Sequence, residues 1–194
     1  MIDGEEEMLK ELIEKNRSYR RFYQDFEITD RILRDLIDLA RLTSTGSNIQ
    51  SLHFKPVSDQ ADCQKVFSAL KWAGYLSDWN GPEEGEKPSA YILICNDTEL
   101  KTNASYDVGL ACQSILLGAV EKGLGGCMFG SVDRKKLHDF FHFPSYLEIT
   151  LILALGKPKE VVVIDQVDNN DIKYWRDDSL VHHVPKRSLN DIII

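Results

Sequence analysis

Hydrophobic positions along the chain fall into short blocks of helical and extended periodicity. Met8, Leu9, Leu12 and Ile13 recur at helical spacing inside an acidic opening segment, which predicts a first helix ending near Lys15. A second helix is expected from Thr29 or Asp30 as its cap, with Leu33, Leu36, Ile37 and Ala40 inside and Arg31, Arg34, Asp38 and Arg41 outside. A Ser/Thr/Gly loop stops it. Residues 53–57 predict a short strand, 62–72 a helix, and the stretch through Pro88 irregular structure. The apolar run 91–95, bounded by Pro88 and Asn96-Asp97, predicts a central strand buried on both faces.

Residues 103–122 read as a helix that is apolar almost all round, through Val108, Leu110, Ala111, Cys112, Ile115, Leu116, Leu117, Ala119 and Val120. Such a helix must be covered on more than one side, at the centre of the domain or in a subunit interface. Gly123 and Gly125 end it, a short helix follows Asp133, and 149–155 predicts another buried strand before the turn Gly156-Lys157-Pro158. Residues 161–164 fit a further strand. Beyond them the chain is mostly polar, anchored by Tyr174 and Trp175, and closes on Ile192-Ile193-Ile194, the pattern of a docked tail. With no repeat and no composition break, residues 1–194 are expected to form one domain, with 160–194 as its tail.

Composition narrows the function classes. The 194 residues are 43% hydrophobic and 28% charged, enough for a genuine core. A net charge of −8, with basic residues grouped only in the pairs Arg20-Arg21, Lys135-Lys136 and Lys186-Arg187, argues against nucleic acid and anionic membranes as partners. Asp3, Glu5, Glu6 and Glu7 stand where a leader would be basic, and the apolar runs are too short to span a bilayer, so a cytoplasmic location is expected. Cys63, Cys95, Cys112 and Cys127 lack C-x-x-C spacing, which favours buried free thiols over disulfides or zinc. The adjacent His182-His183 have no companions at ligand spacing and read as surface residues, so no metal is expected.

Three stretches carry chemistry. In 16-NRSYRRF-22, Arg17, Ser18 and Arg20 offer two guanidinium forks and a hydroxyl within four residues, which suits a phosphate. Around 44-STGSNIQSLHF-54, Asn48 and Gln50 bring amides that donate and accept, in a loop with Thr45 and Ser47 free to approach a planar heterocycle. The run 123-GLGGCMFGSVD-133 supplies backbone for close approach. Together they read as a flavin mononucleotide (FMN) pocket. Taken singly, the arginines would be a solvated cluster at a helix C-terminus, the glycines a helix stop, and the amides ordinary turn residues. The glycines do not match G-x-G-x-x-G, which weighs against a dinucleotide fold.

In this order the motifs resemble the nitroreductase family of FMN-dependent oxidoreductases. Arg17-Ser18-Tyr19-Arg20 matches its Arg-Ser-x-Arg signature, and Ser44-Thr45-Gly46-Ser47-Asn48-Ile49-Gln50 its Pro-Ser-x-x-Asn-x-Gln loop. Residues 123–133 match its glycine-rich turn, Leu155-Gly156-Lys157-Pro158 its Leu-Gly-x-Pro turn, and Lys186-Arg187 its late basic pair. Asn16, Ser44 and Ser51-Leu52 depart from residues common in the family. The resemblance implies an α+β fold: a mixed, mainly antiparallel sheet flanked by helices, in a homodimer whose C-terminal tails wrap the partner subunit. It implies that Arg17, Ser18 and Arg187, with Lys186 beside it, hold the phosphate and that Arg20 reaches the pyrimidine edge. It also implies that Asn48 and Gln50 come from the opposite subunit, that Met128 and Phe129 lie near one ring face, and that a backbone N–H at Gly130 or Ser131 faces the reactive nitrogen.

The activity so implied is reduction of nitroaromatics, quinones or related electrophiles with NADH or NADPH as co-substrate. Because the flavin carries the chemistry, no residue is nominated as a general base or other catalytic group, and Arg20 is expected to tune the ring. Two alternatives remain open: an FMN-binding or sensing module without turnover, and a flavin-fragmenting enzyme of the dimethylbenzimidazole synthase type. Trp72, Tyr75 and Trp79 precede a Gly/Pro/Glu-rich loop that is either an aromatic lid or a packed cluster.

Overall fold

The helix predicted after Thr29 forms because the threonine side chain accepts a hydrogen bond from the Ile32 N–H, satisfying an otherwise orphaned donor. In the computed structural model, which describes residues 3–194 and side chains from Met8 onward, the order begins α1 (Asp3–Lys15), β1 (Phe22–Tyr23), α2 (Asp30–Leu42), β2 (Leu52–Val57), α3 (Gln60–Phe67) and β3 (Ala90–Asp97). It continues with α4 (Ser105–Glu121), β4 (Gly125–Phe129), α5 (Arg134–Phe141), β5 (Leu147–Pro158), β6 (Val162–Gln166), β7 (Trp175–Arg176) and β8 (His182–Lys186). The acidic side chains expected at residues 3–7 lie outside the described ones.

β2, β3 and β5 form an antiparallel core, β4 joins β5, and β1 pairs with its last two residues. Along β3, Ala90, Ile92 and Ile94 pack against α2 and α4, while Tyr91, Leu93 and Cys95 belong to the opposite layer with α3 and α5. That two-sided burial is why the strand reads as continuously apolar. Leu33 and Leu36 of α2 are completely covered, each contributing about 1.5–3 kcal/mol relative to exposure. The α+β architecture, with helices flanking a mainly antiparallel sheet, is as expected.

Three local expectations change. α3 is capped by Asp59 and stops at Phe67 instead of Trp72, because the next residues are drawn away: Leu70 bridges Val132, and the Lys71 N–H donates to the Ser131 carbonyl. The glycine-rich turn is a strand, β4, from its second glycine onward. A Cβ at Gly126 would lie 2.5 Å from the Ala154 carbonyl oxygen and 2.7 Å from Leu116, so only glycine lets β4 lie this close to β5 and α4. The polar tail builds a second small sheet in which β8 pairs in parallel with β6 and antiparallel with β7. This tail docks on its own chain. The 72–88 segment is a packed cluster: Trp72 sits against Phe67 and Phe129, Tyr75 against Tyr174, and Trp79 beneath the Arg176 guanidinium at 4.2 Å.

Among the described residues, no helix is long and apolar enough to cross a membrane, and no group of His, Cys, Asp and Glu is arranged to hold a metal. All four cysteines are free thiols, and burial pushes Cys63, Cys95 and Cys112 up to about 12. They are unavailable as thiolate nucleophiles near neutrality.

Candidate active site

The arginine motif leaves α1 and is immediately stitched to β4: Ser18 forms a parallel bridge with Gly126, and the Tyr19 N–H donates to the Gly126 carbonyl at 3.0 Å. The Tyr19 ring lies on the Cβ-free face of Gly125. Sequence segments about a hundred residues apart thus become one wall. It borders a cavity of about 300 Å³, lined by Asn16, Arg17, Ser18 and Arg20 from this wall, Gln113 and Leu116 from α4, and Gly126 and Met128 from β4. Tyr174, His182, Val184 and Lys186 close it from the tail.

The electrostatics of this cavity are one-sided. Arg17, Arg20 and Lys186 line it, and none of its described lining residues is acidic, in a chain whose net charge is −8. Arg17 Nη2 donates to the Ile13 carbonyl at 2.7 Å, leaving its buried Nε without a partner among the described residues. Arg20 is buried, donates to the Ser18 carbonyl, and lies 4.7 Å from the Tyr174 ring centre in a cation–π contact. Such a donor set suits an anion, because phosphate oxygens accept charge-assisted hydrogen bonds from guanidinium and ammonium groups.

Behind the cavity, Glu160 holds the tail to the motif. Its fully buried carboxylate accepts from the backbone N–H groups of Arg20 and Arg21, and from Arg176 Nη2 at 2.9 Å. Arg21 points elsewhere, gripping Glu86 through two bonds of 2.6 and 2.7 Å. That grip, reinforced by Lys159 and opposed by burial, holds the Glu86 carboxyl down at about 2 against an ordinary 4.5. The native state therefore binds this proton less readily than the unfolded chain. The pair's contribution is fully present above pH 4.5 and lost as pH falls towards about 2. The stability difference between wild type and Glu86→Gln should accordingly shrink over that acid range in chemical denaturation; a pH-independent difference would remove the linkage.

Strand alternation sorts the remaining expected residues. On β4 only Met128 faces the cavity; Phe129 is turned into the opposite core layer, 4.6 Å from Trp72. Of the two residues expected near one ring face, only Met128 therefore borders the cavity in this chain. Gly130 and Ser131 follow on the exposed surface, outside the cavity lining. On the tail, Lys186 lines the cavity but Arg187 does not; its guanidinium bonds Asn170 at 3.2 Å. Of the late basic pair, Lys186 is therefore the one that borders the cavity within this chain.

His182 was missed. It is completely buried, not superficial, and neither ring nitrogen has a hydrogen-bond partner among the described residues. Counting back by twos from Lys186 along β8 gives Val184 and His182 on the same face, the signal that the strand period carries once β8 is recognised. Leaving such groups unsatisfied costs about 1–3 kcal/mol each.

Thr45, Ser47, Asn48 and Gln50 lie apart from this cavity, in and around a 3-10 turn (Gly46–Asn48). The turn is moored to α4: Asp107, itself paired with Lys101 at 2.6 Å, accepts from the Gly46 N–H at 2.9 Å. Ser47, Asn48 and Gln50 have φ of 53°, 53° and 56°, a left-handed conformation that is strained for non-glycine residues and presents the exposed amides outward.

A solved nitroreductase family protein from Streptococcus pneumoniae TIGR4 superposes with a TM-score of 0.69 over 96% of this chain and 98% of its own, at 13% identity, which defines the fold as that of the nitroreductases. The Nitroreductase family model matches residues 87–157. Among curated relatives, the Cr(VI) reductase of Pseudomonas sp. (strain G-1) is 25% identical, with 78% of this chain and 67% of the relative covered. Iodotyrosine deiodinase of Thermotoga neapolitana is 24% identical, with 91% and 97% covered. Together these matches give the chain the nitroreductase fold and a sequence similarity to that family centred on residues 87–157.

Proposed function

We propose that the protein is an FMN-dependent oxidoreductase that uses NADH or NADPH to reduce nitroaromatic, quinone or related electrophilic acceptors. The observation that carries this reading is the cationic cavity uniting Arg17, Ser18, Arg20, Met128 and Lys186. Its donor set and the unpartnered Arg17 Nε fit a phosphate-bearing cofactor. Arg17, Ser18 and Lys186 would hold the phosphate. Arg20, fixed beneath Tyr174, would place a positive charge beside the bound ligand and favour an anionic reduced form. Met128 supplies an apolar contact, and Gly126 permits close approach. FMN, when bound, would supply the centre that accepts and returns the hydride.

The homodimer belongs to the same reading. Asn48 and Gln50 face outward on a strained, anchored turn, as side chains destined for a neighbour's site would. Met8, Leu9 and Ile13 of α1 and Tyr106 and Leu110 of α4 are exposed apolar groups available to an interface. The four free thiols suit a reducing, cytoplasmic setting.

Purified protein should be yellow, bleach with NADH or NADPH, and regain colour when a quinone or nitroaromatic is added. Initial rates should give parallel double-reciprocal lines, since a site with room for one planar substrate at a time releases the first product before the second substrate enters. FMN retained without bleaching would favour the non-catalytic module, and intersecting lines would exclude the ping-pong order.

A further inference from the structure

The tail strand β8 carries an imidazole that no part of the expected site uses. His182 lies on the cavity face with Val184 and Lys186, has no exposed surface, and has no partner for either nitrogen among the described residues. Its ring stacks on Tyr174 with centroids 5.2 Å apart, and its backbone N–H is occupied by the Val161 carbonyl. Glu160 approaches Nδ1 only to 3.9 Å, beyond hydrogen-bond range, because its oxygens already serve Arg20, Arg21 and Arg176. A buried polar ring facing a polar cavity, yet bonded to nothing around it, matches a partner arriving from the cavity.

We propose that His182 is a ligand-contacting residue of this cavity, hydrogen-bonding an anionic, phosphate-bearing ligand and taking up a proton as that ligand binds. The proposal rests on the FMN reading for the ligand's identity, but on the cavity alone for its chemistry. Charged and titratable groups around the imidazole are Arg20 from the motif, Arg176 and Tyr174 from the β7 region, Glu160 after β5, and the neighbouring His183 and Lys186 on β8. Burial, with repulsion from Arg20, Arg176 and His183, lowers His182 to about 4 from an ordinary 6.5, so the free protein holds it neutral. An anion set among Arg17, Arg20 and Lys186 offsets that repulsion and returns the imidazole towards its ordinary range. Reciprocally, ligand affinity rises as pH falls through the interval between about 4 and 6.5.

The test follows the His182 ring resonances by NMR across that interval, in the dimer or monomer as purified, free and with FMN or inorganic phosphate added. Affinity is measured in parallel for wild type and His182→Gln. The expected result is an upward shift in the midpoint of His182 titration with ligand, proton uptake in calorimetry across buffers of differing ionisation enthalpy, and roughly tenfold weaker binding by the variant. Thermal unfolding of unliganded His182→Gln separates a folding defect from a binding one, and the wild-type titration stands even if the variant fails to fold. If FMN binds while His182 titrates unchanged, the inference is overturned and the flavin reading survives. If FMN does not bind but phosphate shifts His182, the flavin reading fails and the inference holds. A ring that responds to neither probe overturns it.

Discussion

Replacing Arg17 and Lys186 together with alanine is expected to strip FMN from the protein as purified. Each side chain reaches the cavity from a different end of the sequence, and each would give the phosphate charge-assisted bonds worth roughly 1.5–3 kcal/mol. Losing both weakens binding by about 10²- to 10⁴-fold, taking about 1.4 kcal/mol per decade. Arg187→Ala is the matched control. Its guanidinium bonds Asn170 outside the cavity, so affinity should change by no more than about twofold. Fluorescence titration of added FMN measures all three. Unchanged affinity in the double variant, or a larger loss in the control, would move the phosphate site elsewhere.

Glu160→Ala should be the most damaging single substitution outside the apolar core, destabilising the fold by about 3–5 kcal/mol. The carboxylate has no exposed surface and serves Arg176 as well as two backbone N–H groups of the motif. Removing it strands Arg176, half buried over Trp79, with no compensating charge. Urea unfolding reads the loss, and hydrogen exchange across residues 160–186 should show the tail opening before the main sheet. Combining Glu160→Gln with Arg176→Met should recover part of the stability, since deleting both charges removes the stranded one. A single variant as stable as wild type would show that the tail is held by its aromatic contacts instead.

Where one segment's own chemistry decides its structure, the sequence was readable. Thr29 marks the start of α2, the run around Ile92 marks β3, and Asp133 caps α5 where a short helix was expected. Strands whose pattern depends on distant partners were hidden. β4 begins with two glycines and looks like a turn until Tyr19, Leu116 and Ala154 are seen crowding it. β8 contains a proline and two histidines, and becomes a strand only because β6 and β7 flank it. Missing β8 also hid which of Lys186 and Arg187 faces inward, and with it His182. The motif residues Arg17, Ser18 and Arg20, which the fold brings to one cavity, stand out in the sequence because their local density of cations is visible without the fold.

The cavity's two walls have a consequence for the time at which it comes into being. Arg17 to Arg20 leave the ribosome before His182 to Lys186, which follow about 165 residues later. At about 5–20 residues per second that interval is on the order of ten seconds or more, during which the first wall exists without the second. Closing so long a loop adds little to the equilibrium cost, which grows only with the logarithm of its length, but contacts so distant in sequence are slow to find. Until β8 has been made and paired with β6, the wall carrying Arg17 to Arg20 lacks the Lys186 side of the cavity, so whatever needs both walls can bind only once the tail has docked.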